Sequence, residues 1–190
     1  MKTIVITGAN GFIGKNLVAH LQVNEDVRLL HFDIEHTDAD LVTYLEQAEF
    51  VFHLAGVNRP KDEIEFQTGN ADLTARVVDI LREKGKAIPI VLTSSMQATR
   101  DNAYGRSKRQ AEEHVFAYGA ETGTPVYIYR LPGLFGKWRR PNYSAVVSTF
   151  CHNIANDLPI QINDPSAMLT LAYIDDVIAE FKGALVDEVH

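Results

Sequence analysis

Cysteine is nearly missing from this chain: Cys151 stands alone among 190 residues. No internal disulfide can form, so the fold has to rest on its core, and a reducing compartment suits it. The histidines (His20, His31, His36, His53, His114, His152 and His190) are scattered without metal-ligand spacing, and Cys151 has no partner thiol. No metal site is therefore expected. Also missing is any apolar run long enough to cross a bilayer. The N-terminus MKTIVITGAN carries one Lys and a short apolar stretch that runs into glycines, unlike a secretory signal. Positive charge is in deficit: 18 Lys and Arg against 25 Asp and Glu leave a net charge of −7. That balance argues against a nucleic-acid or membrane-surface binder. There is no internal repeat and no low-complexity segment. What remains is a globular, cytoplasmic protein, 46% hydrophobic and 23% charged, expected to form a single domain over residues 1–190.

What is present is an alternation. Short β-branched runs (Thr3–Thr7, Val27–Phe32, Phe50–Leu54, Ile88–Thr93, Val126–Tyr129) are separated by helical patterns at Gly14–Gln22, Asp40–Gln47, Asn70–Lys84 and Ser107–Tyr118. Two more helices are expected at Asn142–Asn156 and Asp175–Leu185. Strands alternating with helices imply parallel strands joined by crossovers, hence an α/β fold with a doubly wound, Rossmann-type parallel sheet.

The stretch TGANGFIG places Gly8, Gly11 and Gly14 between the first strand and the first helix. Glycines there permit a tight turn and a close approach of backbone to a pyrophosphate, which the helix N-terminus then faces. Asn10, Phe12 and Ile13 belong to the same loop. A plain tight turn is the bland alternative. The second strand ends at Asp33, 19 residues past Gly14, where an acid can bind the adenosine ribose hydroxyls. A carboxylate there repels a 2′-phosphate, so these residues favour NADH over NADPH. The segment His31–His36 offers Asp33 and Glu35 and no Arg or Lys; Lys15 and Arg28 are the remaining cations nearby in sequence.

In SSMQATRDNAYGRSK, residues 94–108, Tyr104 and Lys108 are four apart. On a helix they share one face, one turn apart. An ammonium beside a phenol favours the phenolate and lowers its pKa, which would let Tyr104 exchange a proton near neutral pH. The spacing alone fits equally a tyrosine at a helix start beside a solvated lysine.

TGANGFIG, HLAGVNRP at 53–60, the serine pair, Tyr104-Gly105-Arg106-Ser107-Lys108 and YIDDV at 173–177 together resemble the extended short-chain dehydrogenase/reductases, a family of nucleotide-sugar epimerases, dehydratases and reductases. HLAGVNRP, SSMQAT, YRLPGLFGKW and PNYSAVVSTFC narrow the resemblance to the CapF type of capsular polysaccharide synthesis enzymes, whose reductase domain precedes a cupin domain. The resemblance implies reduction, with NADPH, of the C4 ketone of a UDP-4-keto-6-deoxy-N-acetylhexosamine, a capsule or O-antigen precursor. It makes Tyr104 the proton donor, Lys108 the group that lowers its pKa and holds the nicotinamide ribose, and Ser95 a partner of the ketone oxygen, with Ser94 the alternative. Leu54, Ala55 and Gly56 would pass beneath the cofactor. Arg130, Lys137 and Arg140 become candidates for the UDP-sugar, the last two within the basic run that includes Arg139. Asn70 reads as an N-cap or as a structural asparagine of the family. Gly133 stands where family members commonly carry Asn, which puts one sugar contact in doubt. The resemblance further implies a homodimer and a substrate portion that is short here, with the cupin outside these 190 residues. The competing readings are an epimerase or dehydratase that retains its NAD, and a nucleotide-binding sensor without catalysis.

Overall fold

Residues 3–7 are apolar on both sides, and the reason is visible in the fold. In the computed structural model, which describes residues 1–186, the strand β1 (Lys2–Thr7) sits in the middle of a sheet with helices on both faces. Its alternate residues serve two separate cores. Val5 packs with Leu41, Leu45, Val77, Val78, Ala111 and Val115 on one face. Ile4 and Ile6 pack with Leu17, Leu21, Val177, Ile178 and Phe181 on the other. A strand buried on both faces reads as a continuous apolar run, and each fully buried Ile or Phe contributes ~1.5–3 kcal/mol relative to exposure.

The remaining strands are β2 (Val27–Phe32), β3 (Phe50–His53), β4 (Ile90–Ser95) and β5 (Val126–Leu131). Their order is β2-β1-β3-β4-β5, all parallel. The chain leaves β1 for β2 on one side and returns to β3 on the other. The switch between β1 and β3 opens a crevice at the strands' C-terminal ends, where ligands of such sheets bind. This is the expected doubly wound fold. Two further short strands, β6 (Gly133–Phe135) and β7 (Leu171–Tyr173), form a small parallel ribbon that the sequence did not announce.

The helices are α1 (Phe12–Leu21), α2 (Asp38–Gln47), α3 (Ile64–Phe66), α4 (Leu73–Glu83), α5 (Ala103–Thr122), α6 (Val146–Ala155) and α7 (Ile174–Leu185). Helix α2 begins earlier than its apolar pattern, because Thr37 and Asp40 form a reciprocal capping box. Helix α5 begins at Ala103, ahead of its apolar run, because Asn102 Oδ1 accepts from the Gly105 amide at 2.7 Å. Asn70 is not an N-cap. It lies inside a π-helical turn, Gln67–Asp72, that joins α3 to α4, and its side chain is buried. Helix α6 buries none of its residues, and Ile154, Leu158, Ile160, Ile162, Met168 and Leu169 are exposed on it and on the stretch that follows. Among the described residues, no helix is long and apolar enough to cross a membrane, and no three His, Cys, Asp or Glu gather as a metal site. His190 lies outside the described residues.

Candidate active site

The turn after β1 is shaped by backbone crowding. Gly8 has φ +70°, and a Cβ there would stand 2.7 Å from the Ala55 amide nitrogen. Only glycine admits both the conformation and the approach of the β3 exit. The turn delivers the chain into α1, whose first residues have no side-chain cap. Its leading N–H groups are thus directed out of the helix end, suited to an anionic phosphate. Asp33, just past β2, accepts from the Asn10 amide at 2.7 Å through Oδ2 and from the Ile34 amide at 2.8 Å through Oδ1. Asn10 Nδ2 donates to Glu35 at 2.9 Å. Two carboxylates therefore border the glycine turn. Arg28 sits near the start of β2, roughly 13 Å from its end at about 3.3 Å per residue. Lys15 shares a small pocket with Asn10, His31 and Trp138. These features fit a dinucleotide.

Beyond the turn, a cleft of about 1260 Å³ opens over β3, β4 and β5. Ile13, Leu54, Gly56, Ser94, Ser95, Tyr104 and Lys108 all line it. Helix α5 can start close against the 3₁₀ turn that follows β4 (Met96–Thr99) because Gly105 has no side chain: a Cβ there would overlap the carbonyl oxygens of Gln97 and Arg100. The same contact brings Tyr104 to the rim. Its hydroxyl donates to Asn58 Oδ1 at 2.9 Å, and its ring lies 5.4 Å from that of Phe66. Burial pushes the Tyr104 phenol up from its ordinary pKa, partly offset by the Ser95 side chain. The expected lowering by Lys108 is not what dominates.

Lys108 is buried. Its ammonium is brought down to about 8, chiefly by desolvation, with Glu112 opposing. Ser95 and Ser94 separate by the strand period. Ser95 accepts from the Gln97 amide at 3.1 Å at the head of a 3₁₀ turn, Met96–Thr99. The Ser94 hydroxyl is taken up by Glu112 at 2.5 Å. The pairing with Glu112 leaves Ser95 as the serine whose hydroxyl faces the Tyr104 side.

Three cations expected at the substrate each have a partner within the chain. Arg130 forms a two-pronged pair with Glu112, 2.9 Å through Nε and 2.6 Å through Nη2. Lys137 pairs with Asp175 at 3.3 Å. Arg140 lies over the Tyr143 ring at 5.6 Å. None of the three lines the cleft; Arg59, Arg100 and Arg139 do. Arg139 rests over Phe12 at 4.9 Å and donates to Ser144 O and Oγ, each at 3.1 Å, while its Nε has no partner.

Sequence reasoning missed two buried residues beside the site. Glu112 had a signal, its spacing of four from Lys108. His53 had none, standing at the end of an apolar strand. Its Nδ1 is 2.7 Å from Thr7 Oγ1 and its Nε2 is 2.9 Å from Thr74 Oγ1. The Ala55 amide donates to Thr7 Oγ1 at 3.2 Å, and Thr74 Oγ1 donates to Asn70 O at 2.7 Å. With Thr74's proton so placed, Nε2 carries the ring proton and Nδ1 accepts from Thr7. Burial, aided by Lys108, holds His53 neutral with a pKa of about 3. Asn70 continues the network to Val57 N and O and, at 3.0 Å, to Ser107 Oγ.

A parallel α/β sheet with a glycine turn, an acid past β2 and one cleft at the strand ends is a dinucleotide-binding domain. The chain belongs to the NAD dependent epimerase/dehydratase family, which it matches over residues 4–187. It is 52% identical, over 94% of its length, to the UDP-2-acetamido-2,6-beta-L-arabino-hexul-4-ose reductase of Pseudomonas aeruginosa PA103, and covers 48% of that protein. The crystal structure of the capsular polysaccharide assembling protein CapF from Staphylococcus aureus superposes with a TM-score of 0.86 at 48% identity, over 96% of this chain and 50% of that one. UDP-glucuronic acid 4-epimerase from Bacillus cereus, in complex with NAD, shares the fold at a TM-score of 0.84 and 21% identity, over 97% of this chain and 74% of that one. The chain thus spans about half the length of the first two.

Proposed function

We propose that this chain is the reductase portion of an NAD(P)H-dependent oxidoreductase that reduces the C4 ketone of a UDP-4-keto-6-deoxy-N-acetylhexosamine in capsule or O-antigen precursor synthesis. The observation that carries the reading is the convergence of Ser95, Tyr104 and Lys108 on one cleft, beside the glycine turn, in a chain 52% identical to a hexulose reductase. When bound, the reduced nicotinamide supplies the hydride. The glycine turn and the α1 N-terminus hold the pyrophosphate, and Asp33 holds the adenosine ribose. Ser95 donates to the ketone oxygen and so favours the charge that develops there. Tyr104, kept neutral by burial, gives its proton to that oxygen as the alcohol forms. Lys108 lies behind the tyrosine and bonds the nicotinamide ribose. Arg139, with Arg59 and Arg100, faces the UDP diphosphate in place of Lys137 and Arg140; a guanidinium with an open donor suits a phosphate.

Asp33 and Glu35 at the turn support NADH as the better-bound cofactor. A second copy of the chain is the expected partner, checked by sedimentation. The reading is tested by incubating the protein with the UDP-4-keto sugar and reduced cofactor and following the loss of reduced-nicotinamide absorbance alongside mass analysis of the sugar. Loss of absorbance with a gain of two hydrogens on the sugar supports it; neither change at saturating cofactor overturns it.

A further inference from the structure

Glu112 has no part in the steps above, yet it is only 2% exposed. A buried carboxylate is costly unless its oxygens are paired. Here three donors meet it: Ser94 Oγ and Arg130 Nε at Oε1, and Arg130 Nη2 at Oε2. Ser94 and Arg130 are register partners at the ends of β4 and β5. Glu112 itself lies on α5, one turn past Lys108 and two past Tyr104. It therefore joins the helix carrying Tyr104 and Lys108 to the strand end carrying Ser95.

We propose that Glu112 is a positioning residue of this site: clamped by Ser94 and Arg130, it locks α5 onto the Ser94–Ser95 strand end and presents its negative charge to the buried Lys108. The proposal rests on the reading of Ser95, Tyr104 and Lys108 as the reaction centre. The surroundings of Lys108 isolate the carboxylate's effect. On α5 the neighbours are Tyr104 and Glu112. From β3 and its exit come neutral His53 and Gly56, beside which the Asn70 side chain also lies, while Ser94 on β4 is turned to Glu112. Glu112 is the anion among these groups, and Arg130 offsets part of its charge. An ammonium driven towards neutrality by burial needs that anion to stay cationic at working pH.

Two substitutions should then act in opposite directions. Glu112→Gln removes the anion and leaves the shape. Arg130→Met leaves the anion in place without its counter-charge. The Lys108 titration is read by NMR of the full chain labelled at lysine Cε, with the signal assigned by its loss in Lys108→Arg. Glu112→Gln should lower the midpoint from about 8, on the order of tenfold in acidity, and Arg130→Met should raise it. Glu112→Asp should bring the midpoint back towards the parent value, because charge is what matters to Lys108. Shifts in the same direction, or no shift in variants whose circular dichroism matches the parent, overturn the proposal. If Glu112→Gln does not fold, Arg130→Met decides by itself: an unchanged or lowered midpoint overturns it. The titration needs no turnover. Failure of the reaction-centre reading would show separately, as a Tyr104→Phe variant that still reduces the ketone.

Discussion

The Tyr104 hydroxyl donates to Asn58 Oδ1 at 2.9 Å, across 46 positions of sequence. Asn58 belongs to the exit of β3 and Tyr104 to the first turn of α5, so the contact ties the two walls of the cleft. It also orients the phenol: the proton points towards the cleft wall that Asn58 forms, and the oxygen keeps lone pairs for other donors. Burial keeps the phenol neutral at rest, which suits the proton-donor role proposed for Tyr104.

Tyr104→Phe should therefore cut turnover by roughly 10²–10⁴-fold, the usual worth of a positioned proton donor. The dissociation constant for the reduced cofactor, from calorimetry, should stay within about threefold of the parent, since only one hydroxyl is removed. Unchanged turnover would remove Tyr104 from the reaction.

Asn58→Asp replaces a neutral acceptor with an anion beside the phenol. A nearby negative charge disfavours the phenolate, so the Tyr104 pKa should rise further. The ultraviolet tyrosinate difference between each protein and its own Tyr104→Phe counterpart measures this, and a downward move would contradict the geometry.

Cofactor choice turns on Asp33. Its carboxylate is anchored to the Asn10 and Ile34 amides beside Glu35, and a 2′-phosphate placed there would meet two negative groups. Calorimetry should give tighter binding of NADH than NADPH, and Asp33→Ala should narrow the gap. Tighter NADPH binding by the parent chain would mean that Lys15 or another cation outweighs the two acids.

Acid should destabilise the fold through His53. The ring is neutral in the folded chain, with a pKa of about 3, against an ordinary value of 6.5. Between these values the unfolded chain binds the extra proton, so stability falls as pH drops from 6.5 towards 3. The loss between pH 6.5 and 5 should be about 1–2 kcal/mol, because the slope grows from half of roughly 1.4 kcal/mol per pH unit at pH 6.5 to nearly that full value at pH 5. Urea unfolding at the two pH values measures it, and His53→Gln should flatten the difference by a similar amount.

Substituting the turn tests the cradle. Gly8→Ala forces a side chain into φ +70° and against the Ala55 amide. The turn should shift and cofactor affinity should fall by tenfold or more, equivalent to about 1.4 kcal/mol, while the far-ultraviolet circular dichroism keeps its parent form.

Much was determined by the sequence alone, because it is written in short range. Apolar runs alternating with amphipathic stretches carry the parallel sheet; Gly8 to Gly14 carry the turn into α1; Tyr104 and Lys108 carry their own helical spacing. Other features depend on pairing between distant segments, and only the tertiary structure decided them. Which serine keeps its hydroxyl for the Tyr104 side follows once α5 packs against β4 and Glu112 claims Ser94. Arg139, not Lys137 or Arg140, enters the cleft because the loop turns through Trp138 at φ +64° and no periodicity governs it. Asn70 reads as a helix start, but the π-helical turn carries it into the helix and aims its amide at Val57 and Ser107. The charge states of Tyr104, Lys108 and His53 are set by desolvation, a property of what surrounds a residue in space and not of its neighbours in the chain.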